Sequence, residues 1–339
     1  MAPTSKPITQ QVFIGNCASL LKTLPDESVD CVVTSPPYWG LRDYKTEPVE
    51  WSDGWRGQLG LEPTPQLYIE HLTAIFEEVK RVLKESGTCW VNLGDSYSGS
   101  WGNYGSREGG QREVTTEQKA RRGSFSESFQ NPASRCGIRE KSLVQIPSRF
   151  AIAMTDAGWI LRNEIIWHKP NCMPSSVEDR FTVDFEKMFF FTKSKKYYFE
   201  PQLEVATDPI GKAKRFGGAK TLGADAITGN PANRPDRKPF ISNGRRNKRT
   251  VWSIPTRTYK GAHYATFPPE LVETPIKAGC PPGGVVLDPF GGSGTTSKVA
   301  RRLGRSSIII ELNPDYLELV KERAKTDVPD ILTFEEVTP

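Results

Sequence analysis

Val285-Val286-Leu287-Asp288-Pro289-Phe290-Gly291-Gly292-Ser293-Gly294-Thr295-Thr296 is an apolar β run that enters a glycine-rich turn and then a helix. Glycines let the backbone turn tightly and approach a ligand closely. The helix start offers unpaired N–H groups to an anion. Glu311 ends the next apolar run, roughly twenty positions after Asp288, a separation at which an acidic side chain meets ribose hydroxyls. A phosphate-loop reading fails, because no Lys-Ser/Thr pair follows the glycines at the required spacing. A nicotinamide reading is weaker, because G-x-G-x-x-G is absent. Taken alone, the turn also fits an ordinary tight connection between strand and helix.

Around this unit, apolar periodicity predicts a helix over Pro268–Ala278, a strand over Gly284–Leu287, a helix over Thr295–Leu303, a strand over Ser307–Ile310 and a helix over Pro314–Lys325. Toward the N-terminus it predicts strands at Gln11–Ile14 and Val29–Thr34 and a short helix at Ala18–Leu24. A long helix follows from Thr64, its N-cap, to Lys84, stopped by Gly87, with a strand at Thr88–Leu93. Next come a helix over Ser142–Ala157, a strand over Trp159–His168, and a hairpin of Lys187–Thr192 with Tyr197–Phe199 turning at Ser194-Lys195-Lys196. Alternating strands and helices imply an α/β fold, with a mostly parallel sheet and helices on both faces. Ligands of such sheets bind outside the carboxyl ends of the strands.

The 339 residues suffice for one large α/β domain with an insertion, or for two modest domains. No run of about 18 apolar residues is present, so no membrane span is expected. The N-terminus lacks an apolar signal core, so a cytoplasmic location is expected. Six scattered cysteines without a C-x-x-C pair, and three histidines, point to reduced thiols and no metal site. The net charge of +5 gathers largely between Lys212 and Lys260, and no internal repeat is visible. Residues 96–140 are rich in Gly, Ser, Arg and Glu without a period. They read as a long mobile loop, functional or disordered.

A second sharp motif, Thr34-Ser35-Pro36-Pro37-Tyr38-Trp39-Gly40, stops the apolar strand Val29–Thr34. Prolines cannot continue a central strand. A structural Pro-Pro turn with a packed aromatic accounts for a bare triplet of this kind. At a strand's carboxyl end the same residues suit methylation of an exocyclic amino group. Its hydrogens need acceptors, which Ser35 Oγ and the Pro36 carbonyl can supply. The nitrogen must be held in line with the methyl carbon. A base must leave its duplex, because its amino group is otherwise paired. Tyr38 can stack on it, as can Trp39 if it points inward.

These residues resemble the amino-methyltransferase family of DNA methyltransferases, in its permuted β-type group. In that group the S/D-P-P-Y motif comes first, the target-recognition region follows, and the F-x-G-x-G motif comes last. The resemblance implies a Rossmann-like S-adenosyl-L-methionine-dependent fold with one antiparallel strand. Residues 1–200 would be the catalytic part, 201–257 the target-recognition insertion and 258–339 the cofactor-binding part. It implies catalysis by Ser35, Pro36, Pro37 and Tyr38. Gly15 and Asn16 resemble a contact to the cofactor's adenine, and Arg257 to Pro269, with Thr266 and Phe267, the segment that binds its methionine part. Asp288, Pro289, Phe290, Gly291, Gly292, Gly294 and Thr295 form the cofactor turn, and Glu311 with Asn313 the ribose-binding strand end.

The implied partner is double-stranded DNA, with Arg245, Arg246, Asn247, Lys248 and Arg249 suited to phosphates and to guanine or adenine edges. Position 16, usually acidic, is Asn here. Ser at position 35 favours cytosine N4 and Asp would favour adenine N6, but both reactions use one geometry and Ser35 alone does not settle the base. RNA or protein amide methylation remains a further alternative. C5 methylation of cytosine needs a Pro-Cys pair; Cys280-Pro281 is the reverse and reads as structural. A cognate restriction endonuclease, the oligomeric state, and a bacterial, archaeal or phage source stay open. Trp101, Tyr104, Arg107, Arg112, Arg121 and Arg122 suit a loop over DNA or a disordered one. His168-Lys169-Pro170-Asn171 borders the base pocket or, as the stronger reading, is a strand exit.

Overall fold

The computed structural model describes residues 7–41, 47–98, 137–205, 245–257, 267–325 and 334–337. Its strands are β1 (Gln10–Ile14), β2 (Val29–Thr34), β3 (Val49–Glu50), β4 (Arg56–Gly57), β5 (Leu83–Leu93), β6 (Ile160–His168), β7 (Phe185–Thr192), β8 (Leu203–Val205), β9 (Arg245–Asn247), β10 (Val251–Ser253), β11 (Val285–Asp288), β12 (Ser306–Glu311) and β13 (Phe334–Val337). Its α-helices are α1 (Cys17–Leu20), α2 (Pro65–Val82), α3 (Ile146–Asp156), α4 (Pro269–Gly279), α5 (Thr295–Arg302) and α6 (Leu317–Lys325).

Nine strands form one sheet in the order β10-β6-β7-β5-β2-β11-β12-β1-β13. β7 runs antiparallel to both its neighbours, and the other pairings in this sheet are parallel. β2, apolar apart from Asp30 and Thr34, is buried at every position, as a central parallel strand is. Apolar cores lie on both faces. Leu72 and Phe76 of α2 and Phe150 of α3 pack in one core with Val32, Val91 and Phe189. Leu271 and Ile276 of α4 and Val299 of α5 pack in the other with Val33, Trp90 and Val286. The chain leaves β2 toward β5 on one side and β11 toward β12 on the other. The gap between β2 and β11 is therefore the topological switch point, where ligands of open α/β sheets sit.

Three local expectations need correction. The helix from Thr64, whose side chain caps Leu67 N at 3.1 Å, ends at Val82 rather than at Lys84. Leu83 instead opens β5, paired with Val29 of β2, so burial in the sheet overrides the helical period. A Cβ at Gly87 would lie 2.5 Å from Leu83 Cδ1, so this glycine makes room for Leu83 rather than stopping a helix. The helix expected from Ser142 begins at Ile146, because Ser142 and Val144 hydrogen-bond with Ser98 and Ser96. Asp95 Oδ1 then accepts from Ile146 N at 3.0 Å at the helix start. The hairpin does not form: β5 and β6 occupy both edges of β7, and Tyr197 and Phe199 pack on the Phe190 ring.

Residues 200–249 form a separate compact unit. In it β8 and β9 pair antiparallel, and Glu204 Oε1 accepts from Arg246 Nε at 2.9 Å and Arg249 Nε at 2.8 Å. The main sheet resumes at β10, which pairs with β6, inside the range 201–257 expected for the insertion. Among the described residues no helix is long and apolar enough to cross a membrane.

Candidate active site

Neighbouring parallel strands β2 and β11, in register through Cys31–Val286 and Val32–Leu287, bring the two sequence motifs to one edge of the sheet. Thr34 Oγ1 donates to Asp288 Oδ1 at 2.6 Å, across 254 positions of chain. Thr296 Oγ1, on the helix after the glycine turn, donates to Asp288 Oδ2 at 2.6 Å. Phe290 N adds a third bond to Oδ1 at 3.1 Å. Burial pushes the Asp288 carboxyl up to about 6, against these three donors.

On the β2 side, Tyr68 Oη of α2 donates to the Pro37 carbonyl at 2.8 Å and pins the turn. Ser35, Pro37 and Tyr38 are half-buried and Pro36 is buried. Trp39 does not point inward to a base. It lies in the core at 3% exposure, its Nε1 donating to the Glu62 carbonyl at 2.9 Å. Tyr38 is thus the aromatic side chain of the motif left at the site. Its ring backs onto Gly94, where a Cβ would lie 2.6 Å from Tyr38 Cε2. Its hydroxyl donates to Glu186 Oε2 at 2.7 Å and accepts from Asn92 Nδ2 at 2.6 Å. Ser35 Oγ donates to the same hydroxyl at 3.3 Å. Burial, with the Glu186 carboxylate beside it, holds the phenol well above its usual range, so Tyr38 stays neutral.

Asn92 and Glu186 were not singled out by the sequence, and Lys169 only within a stretch read more readily as a strand exit. Lys169 Nζ forms an ion pair with Glu186 Oε1 and lies 4.5 Å from the Trp167 ring centroid, so it reaches the carboxylate that holds the Tyr38 hydroxyl. Asn92 carried one signal, a polar residue between Val91 and Leu93 in a buried strand. Glu186 carried none, since its role depends on β7 lying beside β5.

On the β11 side, a Cβ at Gly291 would lie 1.6 Å from Ile309 Cγ2, and Gly291 N donates to the Ile310 carbonyl at 2.8 Å. Gly294, at φ +78°, immediately precedes α5, a left-handed conformation that favours glycine. Pro289 and Thr295 are buried, while Phe290 packs against the first core. Glu311 Oε2 accepts from Gly292 N at 2.7 Å and Oε1 from Asn313 N at 2.9 Å. Burial lifts the Glu311 carboxyl to about 6. Gly15 N donates to the Glu311 carbonyl at 2.8 Å, which places the end of β1 beside the end of β12. Asn16 caps α1 through Ala18 N at 2.9 Å, and Asn313 Oδ1 accepts from Asp315 N at 2.9 Å. Phe267 packs against the second core.

Thr266, the histidine-containing stretch before it, and the aromatic and basic residues singled out between 101 and 122 lie outside the described residues. Arg245, Arg246, Asn247, Lys248 and Arg249 belong to the unit 200–249, where Arg246 and Arg249 are held by Glu204. Burial pushes the Cys280 thiol up to about 12, the reverse of what an attacking thiolate requires.

A family model described as DNA methylase, covering N6 and N4 methyltransferases, matches residues 29–322. The type II methyltransferase M.XycI of Xanthomonas campestris pv. cyanopsidis is 40% identical over 312 residues, covering 92% of this chain and 86% of that protein. The type II methyltransferase M.Cfr9I of Citrobacter freundii is 38% identical, covering 95% and 89%. In fold the chain is similar to the cytosine-N4-specific PvuII DNA methyltransferase, with TM-score 0.56, 19% identity and coverage of 96% and 89%. It is also similar to a putative DNA modification methylase of Thermus thermophilus complexed with S-adenosyl-L-methionine, with TM-score 0.55, 23% identity and coverage of 97% and 100%. The extent of these matches and the pairing of the two motifs at one edge of the sheet establish the family: the chain belongs to the N6/N4 DNA methylases.

Proposed function

We propose that this chain transfers a methyl group from S-adenosyl-L-methionine to the N4 amino group of a cytosine extruded from double-stranded DNA. The observation that carries the reading is the Thr34–Asp288–Thr296 bridge, which fastens the serine-proline corner to the glycine turn. The residues on the β11 side suit the cofactor. The turn is packed tightly at Gly291, where Ile309 leaves no room for a side chain, and Glu311 presents a half-buried carboxylate to a diol. Asp288, Pro289, Phe290, Gly291, Gly292, Gly294 and Thr295 would line it, with Glu311 and Asn313 toward the ribose, Gly15 and Asn16 toward the adenine, and Thr266 and Phe267 toward the methionine part. When bound, the cofactor supplies an electrophilic sulfonium methyl.

The protein's task is then positioning. Ser35 Oγ, which donates its own proton toward Tyr38, keeps lone pairs for the amino hydrogens of the base. The Pro36 carbonyl is the second acceptor, and Pro37 holds the corner without an N–H to compete. Tyr38, fixed at its hydroxyl by Asn92 and Glu186, is a stacking platform set before the base arrives. No covalent nucleophile is needed, because the amino nitrogen attacks the methyl directly.

Serine at position 35 and the fold likeness to a cytosine-N4-specific enzyme support cytosine over adenine. Arg245, Arg246, Asn247, Lys248 and Arg249 are the proposed DNA contacts of the insertion, with Glu204 orienting two of the arginines. The type II relatives make a cognate restriction endonuclease the protein partner to look for. The test is to methylate plasmid DNA with labelled S-adenosyl-L-methionine, hydrolyse it and weigh the modified nucleoside. N4-methylcytosine is expected. N6-methyladenine would move the target to adenine, and label in RNA or protein but not DNA would reject the substrate class.

A further inference from the structure

Five of the eleven large hydrophobic side chains exposed among the described residues lie between Met173 and Phe185. They belong to the strap joining the end of β6 to the start of β7. Its two roots are tied together, Lys169 to Glu186 by an ion pair and Lys169 N to the Asp184 carbonyl at 2.7 Å. Glu186 also holds the Tyr38 hydroxyl, so the strap grows from the rim of the candidate base pocket. Near its tip Met173 is 88% exposed and Phe181 96%.

Phe181 is nevertheless held by its chain neighbours. The Arg180 guanidinium lies 3.6 Å from the Tyr97 ring centroid, and Asp179 pairs with Lys141 Nζ at 2.6 Å. Tyr97 stands three residues beyond Gly94, the residue on which the Tyr38 ring rests. Phe181 also stands five residues before Glu186, so at about 3.5 Å per residue its backbone lies within about 18 Å of the residue that holds the Tyr38 hydroxyl.

Single exposed apolar side chains are ordinary, but five of them on one strap of thirteen residues mark a surface built for a partner. The strap is rooted at the residues that hold the Tyr38 hydroxyl, beside the candidate base pocket. There the reaction itself creates an apolar vacancy, because a base drawn into the pocket leaves a gap between two stacked neighbours. Flat or wedge-shaped apolar side chains fill such gaps. We infer that Phe181 enters the base stack of duplex DNA beside the extruded target base and holds the gap open while Tyr38 receives that base. This rests on the DNA-methylating reading above and adds the residue that drives extrusion.

Two duplexes carrying the mapped target sequence test it, one fully paired and one with the target base opposite an abasic position, which lowers the cost of extrusion. Phe181→Ala is expected to lose about tenfold or more in kcat/KM on the paired duplex. It should return to within a fewfold of wild type on the abasic duplex and bind S-adenosyl-L-methionine unchanged. Phe181→Leu, which keeps an apolar wedge, should retain most activity on the paired duplex. An alanine variant equal to wild type on the paired duplex overturns the inference. So does an equal loss on both duplexes, which marks a mere binding contact. A changed sedimentation coefficient without DNA overturns it too, by marking an interface between copies of the chain. No methyl transfer to DNA by the wild type would instead reject the reading on which it rests.

Discussion

Replacing Asp288 by Asn tests whether the carboxylate joining the two motifs is held by geometry or by charge. Asp288 is 1% exposed, and its acceptors serve Thr34 Oγ1, Thr296 Oγ1 and Phe290 N. An Asn with Oδ1 toward Thr34 and Phe290 keeps two of these bonds. Its Nδ2 then faces Thr296, whose hydroxyl can turn to donate to the Val33 carbonyl, already 3.4 Å away. The variant therefore satisfies every partner without a buried charge. Moving a carboxyl from 3.8 to about 6 corresponds to about 3 kcal/mol against the ionised form, at about 1.4 kcal/mol per pH unit. The folded-state value is raised, so wild type carries this penalty in full above pH 6. The penalty shrinks as pH falls through 6 and vanishes below 3.8, the unfolded value. Asp288→Asn is thus expected to be more stable than wild type by up to about 3 kcal/mol at pH 7.5, and by about half that at pH 5. Asp288→Ala removes the acceptor and leaves two buried threonine hydroxyls without it. It should fall about 2–6 kcal/mol below the Asn variant, at about 1–3 kcal/mol per unsatisfied group. Urea unfolding of the three proteins at both pH values reads these differences. An Asn variant less stable than wild type by about 2 kcal/mol at pH 7.5 would show that the negative charge itself holds the corners together, and the reasoning would fail.

Tyr38→Ala should reduce turnover by about a hundredfold or more, the scale of a lost positioning contact, while cofactor affinity measured by calorimetry stays within about threefold; methylation at the normal rate would remove Tyr38 from the base pocket. Gly291→Ala forces a methyl into Ile309 Cγ2, an overpacking that costs about 1–3 kcal/mol, and cofactor affinity should fall at least tenfold; binding within twofold of wild type would show that the turn does not approach the ligand. Glu311 titrates at about 6 when folded and must be ionised to accept two ribose hydroxyls. Cofactor Kd should therefore be flat above pH 7 and weaken below 6, toward tenfold per unit, with Glu311→Gln weak but flat. A wild-type Kd unchanged from pH 7.5 to 5 contradicts this.

What the sequence made legible follows from the range of each signal. β2 and α2 were readable because their buried sets repeat locally, at consecutive positions in Val29–Thr34 and at helical spacing from Ile69 to Val79. The end of α2 was not, because the backbone turns extended at Leu83 to pair with Val29, a partner more than fifty residues away. The same limit explains Trp39. Its tripeptide neighbours suggest a stacking platform, and only the Glu62 carbonyl shows that it is a core residue. Glu186 was invisible for a related reason: β7 inserts between β5 and β6 against the direction of both, which no local pattern announces.

That insertion bears on how the site is built. A strand running the same way as β5 would carry its first residues to the amino end of the sheet, remote from Tyr38. Because β7 is antiparallel, it begins at the carboxyl edge where β6 ends, so Glu186 and Lys169 meet across a short root and reach Tyr38 together. The reversal thus supplies a half-buried acidic acceptor for the Tyr38 hydroxyl and, in the same connection, an exposed strap from Met173 to Phe185 that starts and ends at the pocket rim. On the inference above, Phe181 is the apolar probe outside the pocket and Tyr38 the fixed platform within it. A single reversed strand makes both parts of one rigid edge, so a variant that breaks the Lys169–Glu186 root should disturb both together.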